Sequence, residues 1–244
     1  MENYVREHSF GSILKSTFAI YVSGFWTFFL TYFLPVFPFM AIQQEAQFRE
    51  QWLLFWLSAI AGAVVGIFAY GASVVSVSDI CLGNRPSLVR SYSRVFGPVA
   101  WKMFVTSLLQ LVIVAIGFLL LIIPGMVFMV WLLFSPIIVV LEGPWGRAAL
   151  KRSKALGKGY YWRSFGVFLV LIVIAGVIGG VIGGVISLAV SHATDHWAFR
   201  LAILAIPAGV SIPIAFITFV LIYYDLRARK EAYDARLLAE ELRQ

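Results

Sequence analysis

The stretch 164–191, SFGVFLVLIVIAGVIGGVIGGVISLAVS, decides the class of fold. It contains no Asp, Glu, Lys or Arg, and about 20 apolar residues suffice for a helix to cross a bilayer core. Five more apolar runs lie at 17–42, 52–78, 99–123, 125–141 and 197–224. The sequence therefore predicts an all-α membrane protein. Its six transmembrane helices form three hairpins within one integral membrane domain over residues 1–244.

The overall composition agrees with a membrane protein. Apolar residues make up 61% of the chain and charged residues only 13%, whereas a soluble domain carries about 25% charged residues. The formal charge of +7 sits beside apolar runs, so we expect anionic lipid headgroups as partners and no nucleic acid.

The basic residues fall almost entirely on one side of the six-span pattern. Of the 19 Lys and Arg residues, 17 lie before the first span, after the last, or in the linkers that follow spans two and four. Only Arg49 and Arg200 lie on the other side. Because Lys and Arg accumulate in cytoplasmic loops, we expect both termini to be cytoplasmic.

A short motif, R-x-x-L-x-R-S, occurs at 85–91 and again at 147–153, each time before a pair of spans. A fainter copy opens the chain. This pattern predicts three repeats, over 9–80, 83–142 and 143–225. Each pair of spans also ends in an acid; these acids are Asp79, Glu142 and Asp225. They lie at span ends close to arginines, so we expect structural ion pairs there rather than an ion pathway.

The linkers that carry the motif are predicted to be amphipathic helices in the membrane plane, over 86–96 and 144–158. In the second, four basic residues recur at spacings of four, three and four and form one stripe on a helix. We expect a basic collar that binds anionic lipid or a partner protein, although setting orientation alone would also explain it. The candidate binding residues are Arg85, Arg90, Arg94, Arg147, Lys151, Arg152, Lys154 and Lys158.

Two further segments carry structural predictions. Residues 226–244 are predicted to form a polar C-terminal helix that extends span six into solvent, with a docking handle as the alternative. Ile123-Pro124-Gly125 is predicted to be the sharp turn between spans three and four.

A row of glycines in span five predicts close helix packing. Gly176, Gly180 and Gly184 are four residues apart, as are Gly179 and Gly183, and such glycines let helices approach closely. We expect packing inside the monomer; a homodimer seam through span five is the alternative.

No constellation of residues points to catalysis. His192, Asp195 and His196 form H-x-x-D-H between spans five and six, but no second cluster completes a site, so we expect no metal and no cofactor. Nucleotide-binding and hydrolase motifs are absent from the sequence. Gln110 is the most central strongly polar residue of any span. These observations favour a protein that is not an enzyme.

Three groups of residues in the second half of the chain form a recognisable pattern. They are Ile123-Pro124-Gly125, Leu141-Glu142-Gly143 with Ala149-Leu150-Lys151-Arg152-Ser153, and the run from Tyr223 to Glu231, YYDLRARKE. Together they resemble a bacterial family, the membrane domain attached to some glycerophosphoryl diester phosphodiesterases and also found alone. The resemblance implies a bacterial cytoplasmic-membrane protein and supplies no catalytic residues, because the hydrolase of fused members is a separate barrel.

Taken together, these patterns predict an accessory or scaffold protein that binds anionic lipid, a partner protein or both through its collar. The alternative is a transporter of a small solute or lipid with a cavity between hairpins. A lipid-active enzyme is a third reading.

Overall fold

The computed structural model describes residues 4–189 and 197–242. These residues form ten helices and no strand. The helices are α1 (Phe10–Phe48), α2 (Trp52–Cys81), α3 (Leu88–Val95), α4 (Pro98–Leu120), α5 (Ile122–Trp131), α6 (Ser135–Leu141), α7 (Arg147–Gly157), α8 (Tyr161–Ala189), α9 (Trp197–Glu231) and α10 (Ala235–Glu241).

The predicted all-α membrane architecture is confirmed. Within the described residues, six helical segments are long and apolar enough to cross a bilayer, and α5 and α6 together make the fourth. The chain is therefore a multi-pass membrane protein. Two short helices, α3 and α7, lie in the linkers where the sequence places amphipathic helices.

Helix α9 packs against the first hairpin and its own partner α8, whereas the middle hairpin packs mainly against α2. Helix α1 packs along both α2 and α9, α4 packs against α5 and α6, and α8 packs against α9. The last turns of α9 form the centre of the core: every side chain over 220–227 is buried, including Tyr223 and Tyr224 at 0% exposure.

The turn between α4 and α5 differs from the predicted one. The chain reverses at Leu121, which is extended with φ −165° and ψ 154°, and Ile123, Pro124 and Gly125 already belong to α5. Gly125 does not form the turn; it allows α4 and α5 to approach each other closely. A Cβ added to Gly117 would lie 2.9 Å from the Cα of Gly125, so only glycine lets the two helices meet at this distance.

The fourth span is broken, which the sequence did not indicate. Helix α5 ends at Trp131 and α6 begins at Ser135. Ser153 of α7 hydrogen-bonds backbone groups on both sides of this break. The buried Ser153 hydroxyl donates to the carbonyl of Trp131 (2.8 Å) and accepts from the amide of Phe134 (3.2 Å). Since backbone groups left unpaired in an apolar interior are costly, Ser153 stabilises the break.

The C-terminal segment differs from the single polar helix predicted over 226–244, because it forms two helices. Helix α9 stops at Glu231, Ala232 adopts a positive φ of 50°, and α10 follows Asp234, whose side chain accepts from the amides of Arg236 and Leu237. The side chains of Tyr233 and Leu238 are buried. These apolar groups explain why the tail folds back onto the bundle instead of extending into solvent.

The glycine contact in α8 also differs from the predicted one. A Cβ on Gly179 would lie 2.7 Å from Ser211 Oγ of α9, and one on Gly183 would lie 3.4 Å from Pro207. Among the described residues, no atom outside the neighbouring turns of α8 lies within 4 Å of a Cβ built on any of the three predicted glycines, Gly176, Gly180 and Gly184. The predicted packing inside the monomer is therefore wrong for these three residues, because α9 meets the adjacent face of α8. The homodimer seam stays a prediction.

Two neighbouring substitutions test this contact. Gly179→Leu should lower the free energy of unfolding by about 1–3 kcal/mol, because the side chain must displace Ser211 and then meets the backbone of Pro207. Gly180→Leu is the matched control and should leave stability of the monomer unchanged. Both are measured by thermal melting combined with size-exclusion chromatography. Equal destabilisation by the two variants would contradict this packing, and selective loss of an oligomer with Gly180→Leu would support the seam.

Candidate functional site

The candidate site is one end of the bundle, here called the basic end. It consists of α3, α7 and α10 together with the adjacent ends of α2, α6 and α9. These elements are joined directly: Arg94 of α3 donates to α10, and Lys230 of α9 donates to the carbonyls of Ala155 (3.0 Å) and Lys158 (2.6 Å) near the end of α7. The basic end thus brings together parts of the chain that are distant in sequence.

The acid that ends α2 is buried next to an arginine of α3. The Asp79 side chain is 1% exposed, and its Oδ1 lies 3.7 Å from the guanidinium of Arg90. Neither carboxylate oxygen has a hydrogen-bond partner among the described residues. An isolated buried carboxylate is costly, and the nearby guanidinium of Arg90 offsets part of this cost across the contact between α2 and α3.

The acid that follows α6 is held more tightly. Glu142 accepts from Arg152 of α7 and from the hydroxyl of Tyr223, both at 2.8 Å. Arg152 also binds Glu231 at the end of α9, at 2.5 Å. The pKa of Arg152 is raised, first by its hydrogen bond with Glu231 and, against the opposing effect of burial, by Glu142. One guanidinium therefore joins α6, α7 and α9.

The third acid, Asp225, anchors the N-terminal segment. It is fully buried, forms ion pairs with Arg163 of α8 and with Arg229 (3.0 Å), and accepts from the backbone amide of His8 (2.6 Å). The same two arginines donate to the carbonyl of His8, at 2.5 and 2.8 Å. The structure thus places an arginine beside each of the three acids for which ion pairs were predicted.

The two copies of the R-x-x-L-x-R-S motif occupy matching positions. Arg90 and Arg152, the sixth residue of each copy, face the acid that ends the preceding hairpin. The serine that follows joins its helix to that same hairpin: Ser91 hydrogen-bonds Ser76 at 2.9 Å, and Ser153 closes the break in the fourth span. The threefold repeat itself stays a prediction.

Helix α10 adds a layer of contacts that sequence reasoning missed. Arg227 binds Glu241 at 2.7 Å and lies 3.6 Å from the centre of the Tyr233 ring, whose hydroxyl donates to Glu241 at 2.6 Å. Burial raises the pKa of Tyr233, and its bond to Glu241 raises it further. Arg94 donates to the carbonyls of Glu241 (2.6 Å) and Leu242. The sequence signal for this folding back is a set of apolar residues spaced five and four positions apart among charged ones, namely Tyr233, Leu238 and Leu242.

The predicted collar consequently divides into two groups. Arg94 and Arg152 are occupied by internal partners, and Arg90 lies beside Asp79 while its side chain stays 57% exposed. The remaining predicted residues are exposed; they are Arg85, Arg147, Lys151, Lys154 and Lys158. Of these, only the Lys154 side chain has a partner among the described residues, the ring of Trp131, whose centre is 3.7 Å from Nζ.

No chemical centre accompanies these charges in the described residues. There, no group of three or more His, Cys, Asp or Glu side chains is placed to hold a metal ion. The H-x-x-D-H residues His192, Asp195 and His196 lie outside the described part of the chain. Gln110 Oε1 is buried without a hydrogen-bond partner there, so the described structure gives this amide no interhelical bond.

These features define a multi-pass α-helical membrane protein with an ion-paired, basic end. The chain belongs to the family described as a domain of unknown function, DUF7847, whose model matches residues 88–227. The match runs from the start of α3 to Arg227 and so includes both motif serines and all but the first of the three acids. No curated protein and no solved structure matches the chain.

Proposed function

We propose that this protein is an accessory or scaffold protein of a membrane. In this proposal, the exposed basic face of α7 binds anionic lipid headgroups, and a partner protein docks on the same end of the bundle. The protein acts by binding and carries out no reaction of its own. Its resemblance to the membrane domain attached to some glycerophosphoryl diester phosphodiesterases suits such an accessory role.

The observation that carries this proposal is the division of α7 into two faces. Ala149, Leu150, Ser153 and Leu156 are buried against the bundle, whereas the four residues of the stripe are exposed. The stripe residues are Arg147, Lys151, Lys154 and Lys158. Four like charges on a rigid, packed helix attract an anionic surface with roughly 1 kcal/mol per residue.

The proposed location is the bacterial cytoplasmic membrane, with the N- and C-termini and the basic end in the cytoplasm. The 17-to-2 distribution of Lys and Arg over the six-span pattern supports this orientation. It would bring the stripe to the leaflet whose anionic lipids give the cytoplasmic surface its negative potential.

The structure of the break in the fourth span favours a scaffold over a transporter. Broken helices in transporters commonly leave backbone groups available to substrate and ions. Here the groups freed at Trp131 and Phe134 are bound by Ser153, which is fully buried. The break is therefore occupied by the protein itself, as suits a static scaffold.

The stripe is tested by the combined substitution of Arg147, Lys151, Lys154 and Lys158 by Gln. In vesicles of phosphatidylcholine with added phosphatidylglycerol, the variant should retain several-fold less phosphatidylglycerol than the unsubstituted protein, because four attractions of roughly 1 kcal/mol are lost. Lipid retained on extraction is measured by native mass spectrometry. The control exchanges Lys for Arg and Arg for Lys at the same positions and should behave like the original. Unchanged retention in the Gln variant would refute lipid binding by the stripe.

The orientation is tested with single introduced cysteines. Gln47→Cys, in the exposed end of α1, should react with an impermeant thiol reagent added outside intact cells, whereas Ser93→Cys, in exposed α3, should react only after the cells are opened. The native Cys81 is buried and provides a low background. Labelling of Ser93→Cys from outside would reverse the proposed topology.

A further inference from the structure

An apolar groove runs along the outside of the bundle between α5 and α8. Its volume is about 420 Å³, and its walls include Val127 and Val130 of α5 and Phe165 of α8. The lining residues of α5 run from Ile123 to Trp131, over which the helix advances about 12 Å, and those of α8 lie within its first turns. Helix α8 and the segment Ile122–Leu141, to which α5 belongs, are long and apolar enough to cross a bilayer. A groove on the outside of these two segments is therefore suited to contact lipid.

The ammonium group of Lys154 lies beside the aromatic residues at one end of this groove. Trp131, Tyr161 and Trp162 line that end. The Nζ of Lys154 lies 3.7 Å from the centre of the Trp131 ring, and the Tyr161 hydroxyl donates to the Lys154 carbonyl at 2.5 Å. Lys154 is exposed and belongs to the basic stripe of α7. An apolar channel that ends at a positioned, exposed ammonium group is complementary to an anionic lipid.

We infer that this groove is a discrete binding site for one anionic phospholipid. One acyl chain occupies the groove, and the phosphate pairs with the ammonium group of Lys154. The inference rests on the proposed function, since it assigns one lipid position to the basic end, but it makes a narrower claim: a single residue of the stripe selects the lipid.

The selectivity must come from the headgroup contact. An acyl chain in the bilayer is already removed from water, so entering the groove gives only packing contacts and no large hydrophobic gain. Those contacts are equal for phospholipids with the same chains. The Lys154 ammonium adds an attraction that an anionic headgroup gains and a zwitterionic one largely lacks.

Photo-crosslinking in reconstituted vesicles tests the site directly. Phosphatidylglycerol and phosphatidylcholine probes carry the same diazirine-bearing acyl chain, and labelled peptides are mapped by mass spectrometry. The ratio of phosphatidylglycerol to phosphatidylcholine labelling should be about fivefold higher at Val127 and Phe165 than at Leu57. Leu57 is an exposed residue of α2 that does not line the groove. Leu57 reports the ordinary lipid around the protein.

Four variants assign the selectivity. Lys154→Gln should reduce the ratio in the groove to that at Leu57, whereas Lys154→Arg should keep it. Lys151→Gln, which removes a neighbouring stripe charge, should lower the ratio in the groove far less than Lys154→Gln does. Val127→Trp fills the groove and should lower labelling there by both probes, with an unchanged melting temperature.

Three results would overturn the inference. The first is equal ratios in the groove and at Leu57 for the unsubstituted protein. The second is an equal loss of selectivity with Lys154→Gln and Lys151→Gln, which would leave the proposed function standing as a diffuse attraction. The third is a groove that neither probe labels but that crosslinks to a second copy of the chain. If instead the stripe's four-residue Gln variant retains all its phosphatidylglycerol, the proposed function itself fails.

Discussion

Buried carboxylates at the ends of membrane helices are the constraint on which the rest of this structure depends. Asp79 and Asp225 are almost completely removed from solvent, and the Glu142 side chain is only 12% exposed. A carboxylate in such a position destabilises the fold unless a cation or several donors compensate it. The arginines that do so come from α3, α7, α8 and α9, so this requirement helps to position α3, α7 and the N-terminal segment.

The same requirement separates two classes of basic residue that look alike in sequence. Arg152 and Lys151 are neighbours on α7, yet Arg152 joins two acids inside the protein while Lys151 is exposed. Arginine suits the internal role because its planar guanidinium donates to two carboxylates at once. The remaining stripe carries the proposed lipid-binding role, and Arg152 ties the same helix to Glu142 and Glu231.

The sequence was sufficient for the spans, for α3 and α7, and for the acids that need partners, because hydropathy and charge spacing are local signals. The sequence was insufficient for features that depend on backbone geometry or on contacts between distant parts of the chain. The break at 132–134 is stabilised by Ser153, about 20 residues away, and the tail folds back through Tyr233 and Glu241. Which glycine row of α8 meets α9 depends on Pro207 and Ser211, so local spacing could not distinguish Gly179 from Gly180.

The Glu142–Arg152 pair holds α7 to the bundle through an ion pair at 2.8 Å. A double-mutant cycle measures this interaction directly, with Glu142→Gln, Arg152→Gln and the combined variant compared by equilibrium unfolding in detergent micelles. We expect each single variant to be destabilised and the two residues to couple by about 1–3 kcal/mol. Additive effects of the two substitutions, with no coupling, would contradict it.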